Sequence, residues 1–389
     1  MSDISLLYDR SETDEQGIRL TAENMGIQLG FLPFHKTVIG LTSDGLIYRS
    51  KGRDLKPRLD EVKVILNRTQ AKNRRILSTG IMESLGKFLI NPHAVELTCR
   101  SKFQTLVEFY KNGINIPNTI FFPCNTKEPL IRGGFQDNIP FILDLTGMEI
   151  GEDVVIKPDE GTHGTGIHRS RDRDYLKKLL ADNEPGIINP VGVFAQEYVN
   201  KWFFDLRIIV EKRNGEPPFC HPTAMARGGF QDFRTNTFLG NKVFRINLPK
   251  KAMESATKCG EAVGKNSKAY VLALDAMPRF KEPLEEVQEQ LTPSYDELEP
   301  YFAKVIKAKK MKRKPFPEYT MSVEEAYEEY MDSEPYNNIK GFISESLENK
   351  MQELLFHEAN ACPDFWEQTR IVGGVNIAES LLKCALSLI

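Results

Sequence analysis

The chain has 389 residues, 41% of them apolar, enough for two or three domains and a sizeable buried core. Its 51 basic and 54 acidic residues leave a formal net charge of -3, which excludes a globally basic nucleic-acid binder. No apolar run approaches the ~20 residues that a membrane helix needs. The opening MSDISLLYDR also lacks the basic-then-apolar order of a signal peptide. The cysteines Cys99, Cys124, Cys220, Cys259, Cys362 and Cys384 form no CxxC pair, so reduced thiols and a cytoplasmic location are expected, with no zinc site.

ISLLY at 4–8 predicts a strand, followed by an amphipathic helix to about Met25. VKVILNR at 62–68 predicts another strand, 73–86 a helix capped at Gly86, and FLINP at 88–92 a short strand. This alternation suggests a small parallel α/β layer. From Thr98 a helix runs to Gly113, and INIPNTIFF and VVIKP supply two strands. Beyond Val193 the strands are VFAQEYV, DLRIIVEK, PTAMAR, VLALDA and LLFHEAN, with helices over 250–264 and 376–387. The expected divisions are therefore 1–97, 98–192 and 193–389. The last contains a charged, proline-bearing insertion over about 279–350 that carries some helix. The insertion's charges fit a solvated surface; an acidic-partner or nucleic-acid contact is the sharper alternative.

Four features carry chemistry. VVIKPDEGTHGTGIHR delivers Lys157 at a strand end and then a loop with Gly161, Gly164 and Gly166. Glycines let backbone N–H groups approach phosphate, and a lysine neutralises its charge, although such turns are common. The word is neither a Walker loop nor a dinucleotide fingerprint, because GK[ST] and GxGxxG are both missing. In FAQEYVNKWFFDLRIIV, Glu197 ends a strand, and Asp205 and Arg207 share a face of the next, where a structural ion pair is the bland reading. In AMARGGFQDFRTNTFLGNK, Arg227, Arg234 and Asn236 suit capture of phosphate or carboxylate, against simple surface arginines. Finally, Asp275 is embedded in VLALDAM, and Glu358 and Asn360 share one face of LLFHEAN. Three oxygen-bearing side chains on adjacent strands suit a hard cation; a buried hydrogen-bonded network is the alternative.

Taken in order, lysine helix, KP-glycine loop, QEYV, DLR, AMAR, FRTN, LALD and EAN resemble the ATP-grasp ligases of the RimK- and LysX-like branch, including archaeal glutamate ligases. The resemblance covers nearly all of the chain outside about 279–350 and implies an ATP-grasp fold, α/β (α+β), with two subdomains clasping ATP behind an N-terminal α/β domain. It implies that Lys102 and Lys157 contact ATP phosphates, that the backbones of Glu197 and Val199 hold adenine, that loop 161–166 closes over the phosphates, and that Asp205 lies near the ribose. Arg227 and Arg234 would stabilise the transferred phosphoryl group. Asp275, Glu358 and Asn360 would hold two magnesium ions, with manganese as a substitute. Asn236, Arg370 and Asn376 would meet the acceptor.

The implied reaction joins a carboxylate to an amine such as glutamate through an acyl phosphate. A peptide acceptor, or a synapsin-like regulatory role without catalysis, are the alternatives. Relatives of this kind are often dimers or tetramers, which leaves a homo-oligomer open. The basic residue expected near Leu239 is absent, and Asp159 is expected to matter little beside Glu358.

Overall fold

In the computed structural model, which describes residues 2–122, 144–161, 165–182, 192–235 and 237–389, the expected N-terminal alternation is present. β1 (Ile4–Tyr8) lies between β2 (Leu29–Pro33) and the later strand β6 (Val64–Arg68), which pairs with β7 (Phe88–Ile90), all in parallel. Every residue of β6 is buried, as befits a parallel strand covered on both faces. Between β2 and β6 the chain forms an antiparallel ribbon of β3 (Thr37–Thr42), β4 (Gly45–Ser50) and β5 (Arg53–Asp54). Sequence reasoning missed this ribbon, because Gly40 and Gly45 interrupt its apolar runs.

A second sheet is antiparallel. β8 (Thr119–Phe122), β9 (Val154–Pro158), β10 (His168–Ser170) and β11 (Val193–Glu197) lie in the order β10-β9-β11-β8. The third sheet holds β12 (Phe204–Lys212), β13 (Phe219–Gly228), β14 (Lys242–Asn247), β15 (Tyr270–Arg279) and β16 (Glu353–Asn360), antiparallel in the order β14-β13-β12-β15-β16.

Alternation along β12 and β15 divides the core in two. Leu206, Ile208, Val210, Leu272 and Leu274 face the main core with helix Lys250–Gly264. Ile209, Val271 and Ala273 face the N-terminal sheet and helix Ile377–Leu386. Helix Lys250–Gly264 approaches closely because Gly264 lacks a side chain; a Cβ there would stand 2.1 Å from the Tyr270 ring. Helix Thr13–Asn24 docks on Trp366 in the same way, since a Cβ on Gly17 would stand 2.1 Å from that indole.

The segment expected as an insertion with some helix is helical over most of its length. Helices Leu284–Lys309, Phe316–Asp332 and Glu334–Asn349 bury Tyr295, Tyr319, Tyr327, Tyr330 and Tyr336. The Tyr330 hydroxyl donates to Val243 O at 3.0 Å and the Tyr295 hydroxyl to Gly228 O at 3.1 Å. On the outer strand β14, Arg245 N donates to the Tyr336 hydroxyl at 2.8 Å. At the opposite edge, Phe356 N of β16 donates to Asn115 O at 2.9 Å. The expected boundary after residue 97 falls inside helix His93–Arg100, which shares the main core with helix Lys102–Lys111. Among the described residues, no helix is long and apolar enough to cross a membrane.

Candidate active site

The second and third sheets and the N-terminal layer enclose a cleft of about 420 Å³. Four lysines line it: Lys72, Lys102, Lys157 and Lys201. None has a carboxylate within ion-pair distance among the described residues, which leaves a concentration of uncompensated positive charge. Lys157 comes from β9 and donates to Gln196 Oε1 at 2.6 Å. Burial pushes its ammonium down to about 8, Glu358 acting against the shift and Lys102 with it.

Lys102 opens helix Lys102–Lys111 and reaches Asp159 O at 3.3 Å and Gly161 O at 3.1 Å. Asp159 fixes that helix start: its Oδ1 accepts from Phe103 N at 2.8 Å and from the Ser101 hydroxyl at 3.0 Å. Gly161 and Gly166 take φ of +152° and +73°, conformations that suit a backbone turned toward a ligand. Gly164 lies outside the described residues, as does Asn236.

At one end the floor is apolar, formed by Val199 and Met277, which pack on Leu355. Beside it, the Glu197 carboxylate is turned to the chain: its Oε1 accepts from Asn118 N at 2.9 Å and from Arg279 at 2.7 Å. Lys201 follows, 6% exposed, and among the described residues its Nζ has no hydrogen-bond partner. Burial pushes it down to about 8, Asp205 acting against the shift and Arg227 with it. Its loop is rigidly placed: Trp202 (φ +54°) stacks on Phe280 at 3.7 Å and donates to Glu282 O at 2.9 Å.

Across the floor runs a ladder of opposite charges. Asp205 and Arg227 are register partners on β12 and β13, joined by two bonds of 2.8 and 2.9 Å. Arg207 and Asp275 are register partners on β12 and β15, joined by two bonds of 2.9 Å. Arg227 also lies 3.2 Å from Asp275, linking the two pairs. The suggested ion pair between Asp205 and Arg207 is therefore replaced by pairing across strands, because direct neighbours in a sheet stand closer than residues two apart on one strand. Asp275, the buried acid in an apolar strand, thus has two arginine partners, as in the hydrogen-bonded network weighed beside the cation site. Burial would raise its carboxyl, but Arg207 and Arg227 outweigh that and hold it well below the usual range.

Glu358 stands directly opposite Asp275 in register, and Asn360 Nδ2 lies 3.5 Å from Asp275 Oδ2, so the expected trio is brought together. A bulge between Asp275 and Ala276 leaves His357 unpaired, and both His357 and Glu358 line the cleft. Among the described residues, no three His, Cys, Asp or Glu side chains form a self-sufficient metal site. Two carboxylates and an amide still fit magnesium that is shared with phosphate oxygens, since such ions take few protein ligands.

Arg234 lines the cleft and is held by Asp232 through bonds that include Nε–Oδ1 at 3.0 Å. Arg370 and Asn376 do not line it. Arg370 is bound to Glu324 at 2.6 Å and stacked on Trp366, and Asn376 caps the last helix by accepting from Glu379 N. Sequence reasoning missed Lys72 and Lys201, although Lys72 immediately precedes the helix expected over 73–86 and Lys201 lies inside FAQEYVNKWFFDLRIIV. Lysine is so common at surfaces that the residue type alone carries no signal.

Residues 100–285 match the RimK-like ATP-grasp domain. Alpha-aminoadipate–LysW ligase LysX of Sulfurisphaera tokodaii is 24% identical over 281 residues, 72% of this chain and 85% of that protein. A coenzyme gamma-F420-2:alpha-L-glutamate ligase of Methanocaldococcus jannaschii is 29% identical over 207 residues, 51% of this chain and 60% of that protein. D-alanyl-alanine synthetase A from Vibrio cholerae shares the fold, with a TM-score of 0.57 at 10% identity, over 100% of this chain and 98% of that one. So does the ATP-grasp ligase PsnB complexed with minimal precursor, with a TM-score of 0.55 at 11% identity, over 100% and 99%.

Proposed function

We propose, from the premise that this chain carries a RimK-like ATP-grasp domain, that it is an ATP-dependent ligase joining a carboxylate to an amine. The carrying observation is the meeting, in one cleft, of four lysines without carboxylate partners and the Asp275, Glu358 and Asn360 trio. That arrangement suits a polyphosphate with its cations and little else.

The apolar floor of Val199 and Met277 takes the adenine, and the backbones of Glu197 and Val199 face its polar edge. Lys102 and Lys157 neutralise phosphate oxygens, and Gly161 and Gly166 let the loop close over them. Asp205, held by Arg227, lies at the ribose end. Asp275, Glu358 and Asn360 would hold magnesium, which supplies further neutralisation of phosphate charge when bound. A substrate carboxylate attacks the γ-phosphate, giving an acyl phosphate and ADP. Arg227 and Arg234 stabilise the charge that spreads over the transferred group. The amine then displaces phosphate and forms the amide. The relatives' names include glutamate ligases, which makes an amino acid such as glutamate the amine component of this reading.

ADP release, screened over small carboxylates and amino acids with the product mass determined, tests the reaction; a phosphorylated product without an amide would replace the reading by a kinase. Glu358→Ala should abolish substrate-dependent ADP release and leave weak nucleotide binding. Wild-type turnover in that variant would remove Glu358 from the metal set.

A further inference from the structure

Outside the cleft, two surface features stand side by side, and the reaction uses neither. The first is the turn that joins helix Leu284–Lys309 to helix Phe316–Asp332. No acid stands between Glu299 and Glu318, a stretch that holds Lys304, Lys307, Lys309, Lys310, Lys312, Arg313 and Lys314. Lys304 is matched by Glu329 and Lys309 by Glu367. Lys307, Lys310, Lys312, Arg313 and Lys314 are exposed, and none has a carboxylate within ion-pair distance among the described residues. The turn is ordered all the same. Met311 N donates to Ala308 O at 3.0 Å, Lys314 N donates to Met311 O at 3.1 Å, and Met311 packs on the main core. Like charges held together on an ordered turn repel one another, and an anionic partner relieves them.

The second feature is a groove of about 510 Å³ that starts at the same turn. Leu6, Tyr8, Leu20, Phe31, Phe316 and Pro317 give it apolar walls. Lys314 and Phe316 are two residues apart in the chain, at most about 7 Å. The charges of the groove are already matched: Arg19 pairs with Glu23 at 2.9 Å, and Glu15 lies 3.5 Å from Arg68.

The groove backs onto the cleft. Glu15 lines the groove, Gln70 lines the cleft, and Gln70 Nε2 donates to Glu15 Oε1 at 3.2 Å. The wall between them is two side chains and one hydrogen bond thick, roughly 12 Å, which about four extended residues span. It is firmly held. Arg68 and Asp14 meet at 2.7 Å, Arg68 Nη1 donates to Pro363 O at 3.1 Å, and Asp14 Oδ1 accepts from Trp366 N at 2.9 Å. The Trp366 indole in turn lies 5.6 Å from the Phe316 ring.

We propose that the groove and the basic turn together dock an acidic polypeptide segment, an apolar side chain filling the groove and Asp or Glu residues meeting the turn. The proposal rests on the ligase reading in one respect: the docked segment then belongs to the substrate that brings a carboxylate to the cleft. A nucleic acid fits less well. Each of its units carries a phosphate, and Glu15 and Glu23 line the groove. A polypeptide places an apolar side chain there and keeps its acids on the turn.

The test uses the full chain and a fluorescein-labelled peptide of about 12 residues, one tryptophan beside a run of glutamates, read by anisotropy. It should bind about tenfold or more tightly than the same peptide with glutamines for glutamates, or with glycine for tryptophan. Lys310→Glu, Lys312→Glu and Arg313→Glu together should erase the preference for glutamate and keep that for tryptophan. Ser11→Trp, which fills the groove from its exposed rim, should do the reverse. Both variants should bind ADP as the wild type does. Equal binding of the glutamate and glutamine peptides overturns the dock and leaves the ligase reading standing. So does loss of peptide and ADP together in the variants. A preference for single-stranded RNA or phosphatidylserine vesicles over the peptide also overturns it. Wild-type protein that binds the peptide but not ADP overturns the ligase reading and keeps the dock.

Discussion

Among single residues, the lysines decide the most. Lys201 is buried and Lys157 half-buried, and both are pushed down to about 8 from 10.5, so the folded chain without nucleotide resists their protonation. For a lysine depressed on folding, stability is fully present above 10.5 and is lost as pH falls through about 8. An anion bound beside them removes that penalty and draws protons in. Titration of ADP near pH ~8.5, in buffers of different ionisation heat, should therefore show proton uptake, reduced in Lys201→Met; heats independent of the buffer would refute this. Asp159, expected to matter less than Glu358, has a structural task of its own. It is fully buried and fixes the start of the helix that carries Lys102. Asp159→Ala should lose a cap worth roughly 1 kcal/mol and weaken ADP binding about tenfold, measured by direct titration. Unchanged affinity would make Asp159 a stability residue alone. The sequence made the charged residues of β12, β13, β15 and β16 visible because they break apolar runs. It could not show which arginine meets which acid, because that depends on register between strands far apart in the chain.

At the scale of elements, periodicity located most strands and helices of the third sheet, because long buried strands such as β15 have an unambiguous apolar run. It underestimated 279–350 for a physical reason. Proline and charge suggest loop, but Pro293 and Pro300 lie inside a 26-residue helix whose buried face is built from Val287, Leu291, Tyr295, Leu298 and Phe302. Removing this segment would expose one wall of the main core. A milder pair of changes tests the point. Tyr330 is fully buried, and its hydroxyl donates to Val243 O at 3.0 Å. Tyr330→Phe should cost about 1 kcal/mol for the lost hydrogen bond. Tyr330→Ala should cost about 3–5 kcal/mol, read from urea unfolding. Equal and small losses would show that the helices stabilise themselves and not the sheet.

For the whole molecule, the Asp14–Arg68 pair binds the first domain to the last loop. Burial pushes the Asp14 carboxyl up to about 6 from 3.8, with Arg68 opposing. For an acid raised on folding, the contribution to stability is fully present below 3.8 and is lost as pH rises through about 6. The stability of the wild-type chain relative to Asp14→Asn should therefore fall between those values, by on the order of 2–3 kcal/mol, and level off above them. A difference independent of pH would show that Asp14 titrates as in water.

The two edges of the five-stranded sheet have a consequence for assembly. On β14 the Tyr336 hydroxyl occupies the Arg245 N–H, and on β16 Asn115 O occupies the Phe356 N–H. A passing β-strand from another chain finds those donors already taken on both sides, so the sheet is a poor template for strand addition or fibrillar growth.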